Sequence, residues 1–189
     1  AVYYKSVRGS CVIRRNIFST PSGKKGTILA CVFNSRPVVG QTLYPVKRSP
    51  TQGKGCTIDC SCQYYSGSNG SKCDTASGLC IAGIGSTFPS YDINCPGNVG
   101  MDVSMREKAL LMLNYRRREL ASNKVQHSDG AFLPAGANLV TLKYRCDLES
   151  AAQAEANKCA ASSGSGLEGT SENFYRKKAR SKMDALVDV

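Results

Sequence analysis

Residues 56–62 read Cys-Thr-Ile-Asp-Cys-Ser-Cys and begin the stretch of this 189-residue sequence that says most about its fold. More cysteines follow at short intervals, and together the members of the stretch are Cys56, Cys60, Cys62, Cys73, Cys80 and Cys95. Proline, glycine and serine are frequent between them and apolar residues are few, so residues 46–94 cannot bury enough surface to fold by hydrophobic packing. We therefore expect disulfides to hold this segment by restricting its unfolded chain.

The cysteine content also indicates an oxidising compartment. A reducing cytosol rarely tolerates 10 thiols in one chain of this size unless they bind a metal or act in catalysis, and an even number suits disulfides. Zinc is the alternative, but the spacing Cys56-x-x-x-Cys60-x-Cys62 does not reproduce the paired Cys-x-x-Cys spacing of zinc ribbons and fingers. The sequence therefore predicts a secreted, extracellular protein without a metal or cofactor, and it leaves the disulfide connectivity open.

Residues 1–45 are predicted to be extended. Val7–Arg14 and Thr27–Asn34 are two candidate strands, and the segment Thr-Pro-Ser-Gly-Lys-Lys-Gly at 20–26 is typical of a hairpin connection between them. Each strand carries one cysteine, which allows a bridge between Cys11 and Cys31 or pairing of either one elsewhere. The first five residues lack an apolar leader, so under the secreted interpretation we expect that a leader has been removed.

Beyond residue 100 the pattern becomes helical. Ser104 and Glu107 predict a capping box at the start of a first helix, whose apolar residues recur at helical spacing while its arginines lie elsewhere around the turn. A second helix is predicted from about Leu148 to Lys158, with Asp147 as its N-cap and a face of small alanines. A third helical pattern begins at Ser181.

The formal net charge of the chain is +11, and basic side chains cluster in two runs, Arg116–Arg118 and Arg176–Lys182. A positive field attracts polyanions such as glycosaminoglycans, acidic lipids or nucleic acid. Arg176, Lys177 and Lys178 are the candidate residues for polyanion binding. The simpler interpretation is that both runs are solvated helix faces. No nucleic-acid module accompanies them, so we expect no specific nucleic-acid binding.

Residue patterns for catalysis are sparse. His127 is the single histidine of the sequence, which excludes a metal-binding histidine pair within it. The sequence contains no serine-nucleophile elbow and no phosphate-binding glycine loop. A cysteine nucleophile would need an unpaired thiol near the histidine. We therefore expect no enzyme activity. We also expect no transmembrane segment, because no apolar run approaches the roughly 20 residues of a membrane span.

Several motifs resemble a known family. Residues 9–12 (Gly-Ser-Cys-Val), 29–34 (Leu-Ala-Cys-Val-Phe-Asn) and 39–44 (Val-Gly-Gln-Thr-Leu-Tyr) look like the closing strands of a CAP domain. That superfamily comprises the cysteine-rich secretory, antigen 5 and pathogenesis-related proteins. The cysteine stretch from Cys56 to Cys80 resembles the hinge that follows such domains.

The second half of the chain resembles the opening of another CAP domain. The similar segments are residues 94–96, 105–116 and 144–159, followed by Ser171–Phe174, which is similar to the Gly-Glu-Asn motif of the family. A closing half, a hinge and an opening half therefore follow in the order expected of a two-module protein. This order is closest to the activation-associated secreted (venom allergen-like) proteins of parasitic nematodes.

The resemblance implies an α+β fold, namely a CAP-type α-β-α sandwich whose partial modules are joined by a disulfide-rich hinge. It assigns residues 1–45 to the C-terminal strands of a first CAP module, 46–94 to the cysteine-rich hinge and 95–189 to the N-terminal helical half of a second. Half-modules leave an apolar face to be covered. We therefore expect a longer protein with missing portions; a proteolytic fragment and packing of the two halves together are the alternatives.

The resemblance also implies a function and a site. Family members are mostly secreted binding proteins, so we expect a non-enzymatic extracellular binding or host-immune-modulating protein whose partner is an extracellular protein or a lipid. A sterol or lipid carrier is the alternative, followed by a metal-assisted hydrolase. The family cavity carries two histidines and two glutamates, and Glu172 matches one of the glutamates. It is equally suited to a structural role, holding backbone N–H groups. Leu113 stands at the histidine position of the family's His-Asn-x-x-Arg pattern, before Asn114, so metal binding is not expected.

Overall fold

The computed structural model describes residues 3–19, 25–46, 55–59, 62, 71–82, 93–158 and 169–177. Its elements are, in chain order, β1 (Gly9–Ser19), β2 (Lys25–Phe33), β3 (Lys72–Asp74), β4 (Leu79–Ile81), α1 (Val103–Ala121), α2 (Cys146–Asn157) and β5 (Ser171–Lys177). The predicted α+β class is confirmed. Contacts divide the chain into two compact units: unit 1 comprises residues 1–7, 37–90 and 113–142, and unit 2 comprises residues 8–36, 91–112 and 143–189.

Unit 2 contains a three-stranded antiparallel sheet in the order β1-β2-β5. Residues 9–15 of β1 face residues 27–33 of β2, which confirms the two predicted strands and their hairpin pairing. Cys11 lies directly opposite Cys31 and is bonded to it, which is one of the two alternatives that the sequence left open. The apolar side chains of both strands whose burial is described, at residues 11–13 and 28–33, are almost fully buried, so hydrophobic packing and ladder hydrogen bonds stabilise this sheet together.

β5 was not predicted from the sequence. It lies antiparallel to β2, with Ser171 opposite Phe33 and Lys177 opposite Thr27. β2 belongs to the segment expected to close a first module, and β5 belongs to the segment expected to open a second. Strands from both segments thus share one sheet, while the assignment of the chain to partial modules stays a prediction.

α2 packs against β1 and β2. The buried residues of this helix are Leu148, Glu149, Ala152 and Ala156. The predicted N-cap, Asp147, is wrong, because the helix begins at Cys146 and the N-cap position is occupied by Arg145 without a side-chain cap. Asp147 lies inside the first turn, where a negative charge interacts favourably with the helix dipole, and it forms an ion pair with Arg145.

α1 begins at Val103, directly after its capping residue. The carboxylate of Asp102 accepts the backbone N–H of Met105 at 2.8 Å and the hydroxyl of Ser104 at 2.7 Å. The predicted capping box of Ser104 and Glu107 is therefore wrong. Asp102, two residues earlier than the predicted cap, is as good a helix-capping residue as serine and satisfies a free N–H of the first turn.

Unit 1 contains a hairpin in which β3 and β4 pair over only 3 residues each. The Asp74 carboxylate supports the turn by accepting the N–H of Ala76 at 3.1 Å and the hydroxyl of Ser77. Gly78 ends the turn with φ +69°, a left-handed conformation that glycine adopts without steric cost. Two disulfides tie this hairpin to the preceding loop, Cys56–Cys73 and Cys62–Cys80.

The predicted disulfide framework is confirmed for the cysteines that the structure describes. They form Cys11–Cys31, Cys56–Cys73, Cys62–Cys80 and Cys95–Cys146. The sulfur atoms of Cys56, Cys62 and Cys80 lie within 4.8 Å of one another, but each is already bonded in a disulfide and carries no thiolate for zinc. Cys60, Cys159, the hairpin turn at 20–24 and the helical pattern from Ser181 lie outside the described residues.

Neither described helix is long and apolar enough to cross a membrane.

Candidate functional site

A buried polar cluster lies in unit 2, and three side chains form it: Arg106, Tyr144 and Glu149. The guanidinium of Arg106 donates two hydrogen bonds to the Glu149 carboxylate, from Nε to Oε2 at 2.7 Å and from a terminal nitrogen to Oε1 at 3.0 Å. The Tyr144 hydroxyl donates to the same Oε2 at 2.7 Å. The Arg106 and Glu149 side chains are 3% and 1% exposed, so solvent does not reach this pair.

The remaining donors of Arg106 bind the segment that precedes α1. They reach the carbonyl oxygens of Asn94 at 2.7 Å and Asn98 at 3.0 Å. The bridge between Cys95 and Cys146 holds the same segment to the start of α2. Because the guanidinium binds both a carboxylate and backbone carbonyls, it connects two pieces of chain that are far apart in sequence.

The protonation states in this cluster follow from its geometry. The hydrogen bond with Glu149 raises the pKa of Arg106, although burial acts in the opposite direction. Burial, and then the hydrogen bond to Glu149, raise the pKa of Tyr144 well above its usual value, so the phenol stays a neutral donor. The Glu149 carboxylate accepts three hydrogen bonds from within the cluster and is buried, which suits it to holding structure.

Unit 1 contains a second buried arginine. Arg117 is fully buried and donates to the carbonyl oxygens of Val140 at 2.8 Å, Tyr3 at 3.1 Å and Ser6 at 3.3 Å. Here the guanidinium binds backbone segments on either side of α1 in the sequence. The expectation that the run Arg116–Arg118 forms a solvated face is therefore wrong for its central residue.

Asn114 and Leu113 show what replaces the family's histidine pattern. The side-chain amide of Asn114 donates to the carbonyl of Leu142 at 3.1 Å and accepts its N–H at 2.8 Å. Leu113, at the expected histidine position, is buried as part of the apolar face of α1. Both side chains therefore stabilise the packing of unit 1.

Sequence reasoning missed the two buried arginines, although their spacing contained a signal. Arg106, Leu113 and Leu120 recur every seven residues, so they lie on one face of α1, and Arg117 follows Leu113 by four residues on the same face. The side chain of an arginine on an apolar helix face either bends towards solvent or is buried with hydrogen-bonding partners from other segments. Only the positions of Glu149 and the backbone carbonyls decide between these outcomes.

The predicted site residues are placed as follows. Glu172 lies in β5 opposite Val32, with both carboxylate oxygens shielded from solvent, and its role in a cavity stays a prediction. Arg176 and Lys177 are the last paired residues of β5; their side chains and all of Lys178 lie outside the described part of the chain. His127 is exposed in a loop beside Asp129, 3.1 Å away.

An accessible polar cleft lies in unit 1 and has a volume of about 530 Å³. Hydroxyl and cationic side chains dominate its lining, and we call it the hydroxyl cleft after Thr57, Thr75, Ser77, Ser122, Arg118 and Lys124. Its floor is backbone, where the N–H of Cys56 donates to the carbonyl of Gly78 at 2.8 Å. No side chain larger than hydrogen fits at Gly55, because a Cβ there would lie 1.8 Å from the Gly78 oxygen.

Comparisons with known proteins agree with the motifs. Residues 110–185 match the sequence model of the cysteine-rich secretory protein family, CAP. The chain is 30% identical over 155 residues to the Ancylostoma secreted protein of Ancylostoma caninum. That alignment covers 80% of the chain and 34% of the relative, so the chain spans about a third of the length of this curated protein. The comparison with solved structures found no match.

Residues 110–185 therefore belong to the CAP family, and the resemblance stated from the motifs is confirmed. The chain is similar to a nematode protein whose name describes it as secreted.

Proposed function

We propose that this CAP-domain protein is secreted and acts outside the cell as a non-enzymatic binding protein that modulates host or immune cells. The observation that carries the proposal is the contrast between its two polar sites. The cluster of Arg106, Tyr144 and Glu149 is buried and saturated with internal hydrogen bonds, whereas the hydroxyl cleft is open to solvent. An accessible site whose described lining offers hydroxyls and cationic charge but includes no histidine or carboxylate side chain supports binding rather than catalysis.

The disulfides support the extracellular location. Four disulfides among the described residues need an oxidising environment to form and persist. The secreted relative from Ancylostoma caninum is consistent with this location.

The proposal is tested by binding of fluorescently labelled, oxidised protein to host leukocytes in flow cytometry. We expect saturable binding that excess unlabelled protein displaces, and loss of that binding after reduction and alkylation. A purely linear, non-displaceable signal would contradict a receptor-type interaction. Hydrolysis of any member of an esterase and protease substrate panel, with loss of activity in His127→Ala, would contradict the non-enzymatic part of the proposal.

Nothing in the described residues favours the sterol or lipid carrier over this function. Two cationic side chains and four hydroxyl side chains line the hydroxyl cleft, whereas a sterol needs a pocket without such charges. In the described part of the chain, the side chains grouped as metal ligands are those of Cys56, Cys62 and Cys80, and all three are bonded in disulfides. They therefore give no support to the metal-assisted hydrolase.

A further inference from the structure

We propose that the hydroxyl cleft binds the sulfate ester group of a sulfated glycan, with Arg118 and Lys124 as its cationic contacts. The cleft belongs wholly to unit 1 and is separate from the run at Arg176–Lys182, for which the sequence predicted polyanion binding. The inference rests on the proposed function in one respect, because an extracellular protein meets sulfated glycans where a cytosolic protein does not.

The two cations are available for a ligand. Arg118 lies in the last turn of α1, Lys124 follows the helix, and both side chains are exposed. Among the residues that the structure describes, neither side chain has a hydrogen bond or an ion pair. A guanidinium binds a tetrahedral oxyanion through two parallel hydrogen bonds, and an ammonium adds a point charge.

The cleft is held open by its own backbone. The N–H of Lys124 binds the carbonyl of Glu119 at 2.9 Å and fixes the loop after the helix. On the opposite side, the contact of Gly55 with Gly78 and the disulfide of Cys56 hold the hairpin turn. A preformed site loses less conformational entropy when it binds, so the few contacts of a small ligand are enough for binding.

The local charge selects a singly charged oxyanion. Arg118 and Lys124 contribute two positive charges, and the nearby carboxylate of Asp74 contributes one negative charge. A hydrogen bond from Ser77 lowers the pKa of Asp74, with a smaller effect from Arg118, so that carboxylate is ionised at neutral pH. The balance of one positive charge matches a sulfate monoester, whereas a phosphate monoester carries nearly two negative charges at pH 7.

The carbonyl oxygens at the end of α1 do not oppose an anion strongly. A helix C-terminus normally carries partial negative charge on unpaired carbonyls. Here the carbonyl of Arg118 accepts the N–H of Ser122 at 3.0 Å, and the carbonyl of Leu120 accepts the N–H of Gly136 at 3.1 Å. These bonds reduce the repulsion that a bound sulfate would otherwise meet.

The rest of the lining points to a carbohydrate. Thr57, Thr75 and Ser122 supply hydroxyls that can exchange hydrogen bonds with sugar hydroxyls. The described residues that line the cleft include no aromatic side chain, so the base stacking that single-stranded nucleic acid uses has no platform there. Nucleic acid is therefore the less favoured polyanion.

The test measures binding of the intact, oxidised chain to a heparin tetrasaccharide by titration calorimetry at a fixed salt concentration. We expect the double variant Arg118→Gln with Lys124→Gln to bind at least about tenfold more weakly, a loss equivalent to about 1.4 kcal/mol. The matched control, Arg116→Gln with Lys143→Gln, removes the same charge from exposed positions outside the cleft and should change affinity by less than about threefold. A desulfated tetrasaccharide should not bind.

Several results would overturn the proposal. Equal losses in the cleft variant and the control would show that general electrostatics governs binding. A loss confined to Arg176→Gln, Lys177→Gln and Lys178→Gln would assign binding to the other basic run, and equal binding of single-stranded DNA would remove the glycan preference.

Thr75→Glu, which adds a negative charge at an exposed turn residue, provides an independent variant and should abolish binding. Wild-type protein that binds leukocytes but not the tetrasaccharide would retain the proposed function and overturn only the sulfated-glycan ligand.

Discussion

In unit 2, Cys11 and Cys31 lie opposite each other in the β1–β2 ladder and bond to each other, whereas in unit 1 Cys73 and Cys80 lie opposite each other and bond elsewhere. The hairpin cysteines pair with Cys56 and Cys62 of the preceding loop. β1 and β2 are 11 and 9 residues long, but the strands of the hairpin have 3 residues each.

The difference shows that the role of a disulfide depends on the length of the strands that it joins. Long strands with buried faces are stabilised by their ladder and by α2, so a bridge between them adds a local constraint. Strands of three residues are not stable alone. The disulfides of the hairpin therefore connect it to a different segment of the same chain, and they do so at Cys56 and Cys62. Unit 2 thus depends mainly on packing and its buried ion pair, and the hairpin depends mainly on covalent connections.

The strongest challenge to this comparison is Glu149→Gln. It leaves the buried Arg106 without its charged partner, so we expect a loss of about 4 kcal/mol in the free energy of unfolding. Chemical denaturation followed by circular dichroism measures the loss. Asp147→Asn, which removes an exposed ion pair from the same helix, is the control and should cost less than about 1 kcal/mol. Equal effects of the two variants would show that the buried cluster does not stabilise unit 2.

Removing one disulfide from each unit sharpens the comparison. The loops closed by Cys62–Cys80 and Cys11–Cys31 span 18 and 20 residues, so chain entropy predicts a loss of about 3 kcal/mol for either double Cys→Ser variant. The location of the damage should differ. Hydrogen exchange should show lost protection at residues 72–81 in the first variant and retained protection in β1 and β2 in the second. Retained protection of the hairpin would contradict its dependence on disulfides.

Tyr144→Phe tests the buried cluster with a smaller change. Because Glu149 loses one donor, we expect a cost of about 1 kcal/mol at neutral pH. The folded pKa of Tyr144 is raised, so its contribution to stability is present below the unfolded pKa of about 10 and is lost as pH rises above it. The wild type should therefore lose stability more steeply above pH 10 than the variant does. Tyr115→Phe, at an exposed position, is the control, and equal slopes for wild type and Tyr144→Phe would contradict the prediction.

The smallest effect is expected at the hairpin turn. Asp74→Ala removes the acceptor for Ala76 and Ser77 and should cost about 1 kcal/mol or less, because disulfides hold the strands on both sides. The hydrogen bond from Ser77 lowers the pKa of Asp74. Its contribution is therefore present above the unfolded pKa of about 4 and is lost as pH falls through the lower folded value. Thermal unfolding between pH 2 and 6 measures this difference, and a pH-independent difference would contradict it.

Local patterns predicted the elements well where the deciding interactions are close in sequence. The apolar segments around Cys11 and Cys31 predicted both strands and allowed a bridge between them, and the alanine face beginning at Leu148 predicted the second helix. Both predicted N-caps were wrong by two residues, since Asp102 caps α1 and Arg145 occupies the N-cap position of α2 without a side-chain cap. Asp102, Ser104 and Asp147 have similar capping propensities, and the backbone path at each helix start decides which one is used.

The candidate sites were predicted less completely. The sequence indicated Glu172 and the run Arg176–Lys178, but it did not indicate that Arg106 and Arg117 are buried or that Arg118 and Lys124 line one cleft. These relations join residues that are distant in sequence, for example Arg106 with Glu149 and Gly55 with Gly78. Spacing along one helix shows which residues share a face of that helix. It carries no information on which residues of other segments pack against that face.

The order of residues alone determined the class of protein through the resemblance of its motifs to a known family. Composition and short-range periodicity indicated the oxidised state of the described cysteines and the antiparallel strand pair. The tertiary structure decided the disulfide partners in the hairpin, the partners of the two buried arginines and the position of the open cleft. The physical reason is that burial of a charge is tolerated only where donors and acceptors from separate segments meet. Whether those donors and acceptors come together depends on the tertiary fold.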